Sequence, residues 1–284
     1  MIEKRDVLMN KCILSNGKEI PEIGFGTWHI KDEEQIMESI TSALDAGYTH
    51  IDTASKYGNE EEIGNTLKRY NVNREDIFIT SKLWNTDKGY ENTKKAFNET
   101  LKKIKTDYLD LYLIHWAKTD NEWENLNRET WKAFEELYEK NKIRAIGVSN
   151  FDVEALESLI QNAKITPMVN QIEFHPGWMQ NEIVEYCNKH NILIEAWSPI
   201  GSGRMLDNPN LINIAKKYNK SVAQLCIRWC IQNNVIPLPK SVTKERIIEN
   251  IDVYDFQISL EDMEFINNME SFGWSGLNPN IIVK

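Results

Sequence analysis

The sequence has no long apolar segment, and this absence excludes a class of protein. Among its 284 residues no uncharged apolar run approaches the ~20 residues of a membrane-spanning helix. The opening stretch MIEKRDVLMNKCILSNGKEI also lacks the apolar region of a secretory signal. We therefore expect a cytoplasmic protein.

Cysteine is scarce, and its spacing indicates neither a metal site nor a redox pair. The four residues Cys12, Cys187, Cys226 and Cys230 form no CxxC pair and no Cys/His cluster at zinc spacing. Cys226 and Cys230 lie four residues apart in SVAQLCIRWCIQNN, on one face of a predicted helix. We interpret them as reduced core residues, with a metal or redox role as the alternative.

Basic residues are outnumbered, with 33 Lys and Arg against 43 Asp and Glu and a formal net charge of −10. That balance argues against nucleic acid or an anionic membrane as the main partner, and leaves open a local basic pocket for one small anion. The chain is 41% hydrophobic and 27% charged, as expected of a globular protein with a large core. We expect a single domain over residues 1–284, and a monomer.

Several motifs of other protein classes are absent as well. The chain has no GxGxxG fingerprint, no Walker motif, no GxSxG nucleophile elbow and no HExxH metal motif. The early glycine pair, in IGFGTWHI, lacks the third glycine and leads into Thr-Trp-His rather than into a helix. These absences disfavour an open doubly wound sheet.

What is present is an alternation of short apolar runs with amphipathic stretches. The runs are EIGFGT, HIDT, IFITSKL, DLYLIHW, IRAIGVSN, MVNQIEF, ILIEAWS and VIPLPK. Eight such runs, nearly all separated by helix-like segments, predict an α/β fold, the (β/α)8 TIM barrel, with extra C-terminal helices. Asn59 and a Ser221–Gln224 capping box predict two helix starts. KCIL and KEI flank Asn16-Gly17, which predicts an N-terminal β-hairpin with a type I′ turn.

Ionisable residues follow three neighbouring strands where each ends. HIDT ends with Asp52 and has Tyr57 in the turn beyond, ITSKLW contains Lys82, and LIHW contains His115. In such barrels the strand ends open onto one face, where the chemistry gathers. Each residue also has a structural interpretation: a turn cap for Asp52, a surface position for Lys82, a satisfied core position for His115, and ring packing for Tyr57. Their joint placement favours one site.

These four groups suit proton donation to a polar carbonyl without a metal. A lysine charge in a barrel mouth needs an anion, and Asp52 on the adjacent strand can provide it. A charged Lys82 close to Tyr57 stabilises the phenolate and lowers the tyrosine pKa, so Tyr57 can act as a general acid near neutral pH. His115 can bond to a substrate oxygen and orient it.

The later strand ends offer a place for a second reactant. Trp197 provides a flat face for stacking, and Asn150 and Gln171 provide amide groups that suit a nicotinamide carboxamide. The following segment PLPKSVTKERIIEN combines lysine, serine and arginine with the N–H groups of a helix start, which predicts a phosphate site. The alternative is a solvated helix with scattered charges.

The motifs GFGTW, HIDTASKYGNEEEIG, FITSKLWN, DLYLIHW, IGVSNF, VNQIEFHP, EAWSPIG and PLPKSVTKERIIEN occur in this order, from about Gly24 to about Asn250. Together they resemble the aldo-keto reductase family. The resemblance implies a (β/α)8 barrel that uses NADPH/NADP+, without a metal, to reduce a small-molecule aldehyde or ketone to the alcohol. It also implies that Tyr57 donates the proton, that Lys82 and Asp52 tune it, and that His115 orients the carbonyl.

The resemblance further implies two sets of binding residues. The cofactor set is Thr27, Trp28, Asp52, Ser149, Asn150, Gln171, Trp197, Ser198, Ile200, Ser202, Lys240, Ser241, Val242, Thr243, Arg246, Glu249 and Asn250. Lys240 with Arg246 points to NADPH over NADH, because a 2′-phosphate gives both cations a partner. The substrate set is Trp28, Tyr57, Trp84, His115 and Trp116, with the three tryptophans as an apolar wall whose alternative role is core packing.

Some positions depart from the most studied members of the family. Trp197 stands where a tyrosine is common, as in prokaryotic reductases, and Ala117 stands where proline is frequent. The loop AKTDNEWENLNRET and the tail MESFGWSGLNPNIIVK are short. Because these segments shape the substrate pocket in the family, the substrate is left open; bacterial reductases of 2,5-diketo-D-gluconate, methylglyoxal and general aldehydes are similar in pattern. A cofactor-binding redox sensor is the alternative function, whereas a metal-assisted hydrolase lacks ligands in the sequence.

Overall fold

The computed structural model describes residues 10–119 and 121–279. It begins with a hairpin of β1 (Lys11–Ile13) and β2 (Glu19–Pro21), paired antiparallel as predicted. The predicted type I′ turn is wrong. Gly17 has φ 78°, whereas φ of Asn16 is not positive. Leu14 N–H donates to Lys18 O at 2.9 Å, which closes a three-residue loop. Because type I′ needs two positive φ values, the loop instead uses the glycine alone.

Eight parallel strands follow, each paired with its neighbour in chain order, which confirms the predicted barrel. They are β3 (Phe25–Gly26), β4 (His50–Asp52), β5 (Phe78–Leu83), β6 (Leu111–Ile114), β7 (Ile146–Ser149), β8 (Val169–Glu173), β9 (Leu193–Trp197) and β10 (Val235–Leu238). Gly24 N–H donates to Pro237 O and Gly26 N–H donates to Pro239 O, both at 3.0 Å, so the first strand meets the last. A Cβ on Gly26 would lie 3.0 Å from Leu238 O, and glycine therefore permits this closure.

Helices surround the strands. They are α1 (Glu33–Ala46), α2 (Glu60–Tyr70), α3 (Tyr90–Ile104), α4 (Trp123–Glu139), α5 (Val153–Ile160), α6 (Asn181–Lys189), α7 (Pro209–Lys217), α8 (Val222–Gln232), α9 (Lys244–Ile251) and α10 (Leu260–Asn267). The predicted capping box is confirmed, since Ser221 Oγ accepts from Gln224 N–H while the Gln224 side chain accepts from Ser221 N–H. The C-terminal helices α9 and α10 follow the last strand, as expected.

The core lies inside the barrel and between the strands and helices. Cys226 and Cys230 on α8 are buried there as free thiols, and burial raises the pKa of each. Among the described residues, no helix is long and apolar enough to cross a membrane. Residues 1–9, which begin the stretch that lacks the pattern of a secretory signal, lie outside the described residues. Residues 280–284, the end of the tail predicted to be short, also lie outside them.

The packing of α2 against the end of α3 gives a stability prediction. A Cβ on Gly64 would lie 2.5 Å from the Ile104 carbonyl oxygen, a backbone atom that cannot rotate away. Gly64→Ala should lower the free energy of unfolding by about 1–3 kcal/mol, because overpacking outweighs the better helix propensity of alanine. Urea unfolding of both proteins measures the change.

The matched control is Lys68→Ala on the exposed face of the same helix, which should change the free energy of unfolding by less than about 0.5 kcal/mol. A Gly64→Ala protein more stable than the wild type would contradict the packing described here.

Candidate active site

A buried ion pair lies at the C-terminal ends of β4 and β5. Lys82 Nζ donates to both carboxylate oxygens of Asp52, at 2.7 and 2.9 Å, and to Thr53 O at 2.9 Å. The Lys82 side chain is 0% exposed. Burial lowers the pKa of Lys82, but the Asp52 carboxylate, through its charge and its hydrogen bonds, more than reverses this and the net pKa is raised. The ammonium is therefore charged at neutral pH.

Tyr57 lies next to this pair. It ends a short 3-10 turn after β4, Ser55–Tyr57, and its hydroxyl lies 3.4 Å from Lys82 Nζ. Burial raises the pKa of Tyr57, Lys82 opposes that rise, and the net pKa is higher than that of a free tyrosine. The expected lowering by Lys82 is thus present, but the predicted net direction is wrong because desolvation of the phenolate is the larger effect.

His115 directly follows β6 and completes the group of four. Its ring lies edge-on to Tyr57, with centroids 5.7 Å apart, and edge-on to Trp84, with centroids 5.2 Å apart. Burial lowers the pKa of His115 well below its usual range, and the charges of Lys82 and Lys56 add to this. The imidazole is therefore neutral, and in that form one ring nitrogen donates a hydrogen bond while the other accepts.

Asn59 holds the loops around the site, a role that the sequence analysis missed. It is the N-cap of α2 by position, but its side chain makes no capping bond. Instead its amide donates to Thr27 O and Ile30 O, at 3.0 and 3.1 Å, and accepts from Thr53 Oγ1 at 2.6 Å. The predicted capping role of Asn59 is therefore wrong, because these long-range bonds use the side chain.

A second chain of hydrogen bonds joins β7, β8 and β9 to the ion pair. Trp197 Nε1 donates to Asn150 Oδ1 at 2.8 Å, and Asn150 Nδ2 donates to His115 O at 3.0 Å. Ser149 Oγ donates to Gln171 O at 2.9 Å, and Gln171 Nε2 donates to Asp52 Oδ2 at 2.9 Å. The amide-bearing residues predicted for the carboxamide therefore lie beside the group of four, and Gln171 retains its amide oxygen as an acceptor.

The remaining predicted cofactor residues lie further along the rim. Ser198 and Ser202, flanking Ile200 in the loop after β9, both have φ 52°, and their hydroxyls are 3.0 Å apart. After β10, Ser241 Oγ accepts from Thr243 N–H at 3.0 Å, next to exposed Val242. Lys240 and Arg246 are exposed near the start of α9, and neither takes part in an ion pair among the described residues. Glu249 and buried Asn250 lie on the same helix.

The three tryptophans of the predicted wall differ in exposure. Trp28 is 44% exposed, while Trp116, next to His115, is 7% exposed. Trp84 packs on His115, and Lys56 Nζ lies 4.4 Å from the centre of its ring. Lys56 was not predicted; a lysine in a turn carries no sequence signal for such a contact.

Glu173 at the end of β8 is a further residue that was not predicted. Its carboxylate accepts from Arg204 Nη2 at 3.2 Å, from Ser275 N–H at 2.9 Å and from Ser275 Oγ at 2.7 Å. It therefore ties the loop after β9 to the C-terminal tail. Only tertiary structure reveals this contact, because the three residues are far apart in sequence.

Four such groups at one rim of a parallel barrel are the arrangement expected of a barrel-type oxidoreductase. Similarity to known proteins then identifies the family. The pattern of the Aldo/keto reductase family matches residues 22–270. The chain therefore belongs to the aldo/keto reductase family.

Individual relatives agree with this assignment. The chain is 48% identical over 267 residues to glyoxal reductase of Bacillus subtilis, covering 94% of this chain and 95% of the relative. It is also similar to the solved structure of MGS-M4, an aldo-keto reductase from a Medee basin deep-sea metagenome library, with TM-score 0.92, 44% identity and coverage of 96% and 100%. A Gox0644 mutant solved in complex with NADPH matches with TM-score 0.89, 38% identity and coverage of 96% and 98%.

The buried ion pair gives a prediction about stability. Lys82→Met removes the cation and leaves Asp52 charged without its strongest partner, so the free energy of unfolding should fall by about 3–5 kcal/mol at pH 7. Urea unfolding followed by circular dichroism measures this loss.

The double variant Asp52→Asn, Lys82→Met removes both charges and should recover at least about half of the loss. A single Lys82→Met variant as stable as the wild type would contradict the buried pair.

Proposed function

We propose that this protein reduces the carbonyl group of a small aldehyde or ketone to an alcohol with NADPH, and that Tyr57 is the general acid. The observation that carries the proposal is the Tyr57 hydroxyl, 3.4 Å from the Lys82 ammonium that Asp52 holds in place. Membership of a family in which a similar structure contains NADPH supports the choice of cofactor.

The residues along the rim fit such a cofactor. Trp197 offers a partly exposed ring for stacking, Gln171 offers an amide oxygen for the carboxamide N–H, and the turn of Ser198 and Ser202 offers hydroxyls for the pyrophosphate. Lys240 and Arg246 are cations free to bind a 2′-phosphate. When bound, NADPH supplies a hydride to the carbonyl carbon.

The protein side chains manage the proton. The raised pKa of Tyr57 keeps the hydroxyl protonated at neutral pH, so that its proton is available to the carbonyl oxygen as negative charge develops there. The ammonium of Lys82 stabilises the phenolate that forms, and Asp52 keeps that ammonium in position. The neutral imidazole of His115 donates a hydrogen bond that orients the carbonyl.

The tryptophans complete the pocket. Trp28, Trp84 and Trp116 provide apolar surface beside the reacting groups, and excluding water there strengthens the Lys82–Tyr57 interaction. Glyoxal is a suitable first substrate for assay, because a similar protein from Bacillus subtilis is named glyoxal reductase.

Tyr57→Phe tests the general acid. Loss of the hydroxyl should lower kcat for glyoxal reduction by about 10²–10⁴-fold, because proton donation contributes that much to such reactions. NADPH absorbance at 340 nm reports turnover, and quenching of tryptophan fluorescence reports NADPH binding, which should persist.

The control is Tyr70→Phe, which removes the hydroxyl of a partly exposed tyrosine bonded to Asp45 and should leave kcat unchanged. Undiminished turnover in Tyr57→Phe would refute the role of Tyr57. A wild type that binds NADPH but turns over no aldehyde or ketone would instead favour the redox-sensor alternative.

Arg246→Ala tests the choice of cofactor. Loss of a charge-assisted contact with a phosphate should raise the Kd for NADPH by about 10- to 100-fold and leave the Kd for NADH unchanged. Lys244→Ala, an exposed cation at the first position of the same helix, is the matched control. Equal effects of Arg246→Ala on both cofactors would argue against a 2′-phosphate site.

A further inference from the structure

A second buried carboxyl group lies inside the barrel, close to the catalytic four. Glu195 is in the middle of β9, is 0% exposed and pairs in register with Gln171 on β8. Gln171 Nε2 donates to Glu195 Oε2 at 2.9 Å and also to Asp52 Oδ2 at 2.9 Å. One amide NH2 group therefore bridges two carboxyl groups.

The surroundings of Glu195 give it little support as an anion. Its Oε1 atom has no hydrogen-bond partner in the described part of the chain, and His50 Nε2, 3.9 Å away, is bonded to Thr80 Oγ1 at 2.9 Å. Burial, together with the charge of Lys82, lowers the pKa of His50 to about 3, so the imidazole is neutral. A neutral imidazole adds no positive charge beside Glu195.

Glu195 therefore holds its proton at neutral pH. Burial and, to a lesser extent, the charge of Asp52 raise the pKa of Glu195, Gln171 and Lys82 oppose the rise, and the resulting pKa is about 8. The charged groups that act on Glu195 are thus Asp52 on β4 and Lys82 on β5, while β10 presents apolar Ile236 opposite it. When Glu195 loses its proton above about pH 8, it adds one negative charge to the barrel interior.

We propose that Glu195 is a positioning residue, which acts through the Gln171 amide on both the nicotinamide site and the Asp52–Lys82 pair. With its NH2 group held between the two carboxyl groups, Gln171 can present only its oxygen to the carboxamide. This inference rests on the proposed function.

The connection from Glu195 through Gln171 to Asp52 also predicts how pH acts on the reaction. A negative charge on Glu195 stabilises the protonated form of Tyr57 and opposes the phenolate that forms when Tyr57 gives up its proton. Tyr57 is then a weaker acid. The rate of hydride transfer should therefore fall as the pH rises through the range in which Glu195 ionises.

Two substitutions separate the functions of Glu195. Glu195→Gln keeps an oxygen acceptor for Gln171 Nε2 but cannot ionise. Glu195→Leu has a similar volume and removes the acceptor. Glu60→Gln is the matched control, because Glu60 is also a buried carboxyl with a pKa raised by burial, but it is bonded to Ser81 and Thr100 rather than to the site.

The rate of NADPH oxidation by glyoxal is measured in single turnovers between pH 6.5 and 9. In the wild type and in Glu60→Gln, this rate should fall up to about tenfold between pH 7 and pH 9, as a group with pKa about 8 ionises. In Glu195→Gln the fall should be less than about twofold. Glu195→Leu should raise the Kd for NADPH by about 5- to 10-fold, since Gln171 is no longer held, and Glu195→Gln should restore it.

Urea unfolding without cofactor provides a measure that does not depend on turnover. Because the pKa of Glu195 is raised in the folded protein, its contribution to stability is present below the unfolded pKa and is lost as the pH rises towards about 8. The wild type should lose stability relative to Glu195→Gln over that range.

An alkaline fall in rate retained in Glu195→Gln, or wild-type NADPH affinity in Glu195→Leu, would overturn the proposal. If the wild type reduces no carbonyl, the proposed function fails, and the NADPH affinities and the pH dependence of unfolding still decide the role of Glu195.

Discussion

The Asp52–Lys82 ion pair is the interaction on which the rest of the site depends. Burying two charges costs free energy, and an apolar pair of similar volume is often as stable, so stability alone does not explain this pair. Its effect is local: it keeps one positive charge at a fixed place beside the Tyr57 hydroxyl. The barrel makes this possible because adjacent parallel strands deliver an aspartate and a lysine to the same rim, where surrounding loops exclude water.

Much of the fold and the gathering of the four ionisable groups at the rim could be predicted from sequence, because both follow from local patterns. Apolar runs of strand length and their order predict the barrel, and a residue that ends such a run must lie at its rim, as Asp52 does. The net pKa shift of Tyr57 could not be predicted, since it is a difference between desolvation and charge that only three-dimensional surroundings determine. The Asn59 side chain was misassigned for a similar reason: its local capping bond competes with Thr53 and with two partners distant in sequence, Thr27 and Ile30.

The interior of the barrel is more polar than its apolar strand sequences indicate. His50, Thr80, Gln171 and Glu195 are all buried, and hydrogen bonds connect them in pairs, with Gln171 also joined to Asp52. The interior of such barrels is commonly filled with branched apolar residues. Here a layer of polar groups lies close to the site, so that ionisation within the core can influence the chemistry at the rim. The proposed catalytic role of Tyr57 and the proposed positioning role of Glu195 are therefore linked through one amide.

The way the barrel closes has a consequence for synthesis of the chain. The first barrel strand, β3, meets the last, β10, through hydrogen bonds from Gly24 and Gly26. The ribosome synthesises β3 early and β10 late. Until β10 emerges, the nascent sheet has two unpaired edges, which are sites for association with other chains. Asp52 and Lys82 are translated early, so the bond from Gln171 on β8 to Asp52 Oδ2 can form only after two further strands, β6 and β7, have been made.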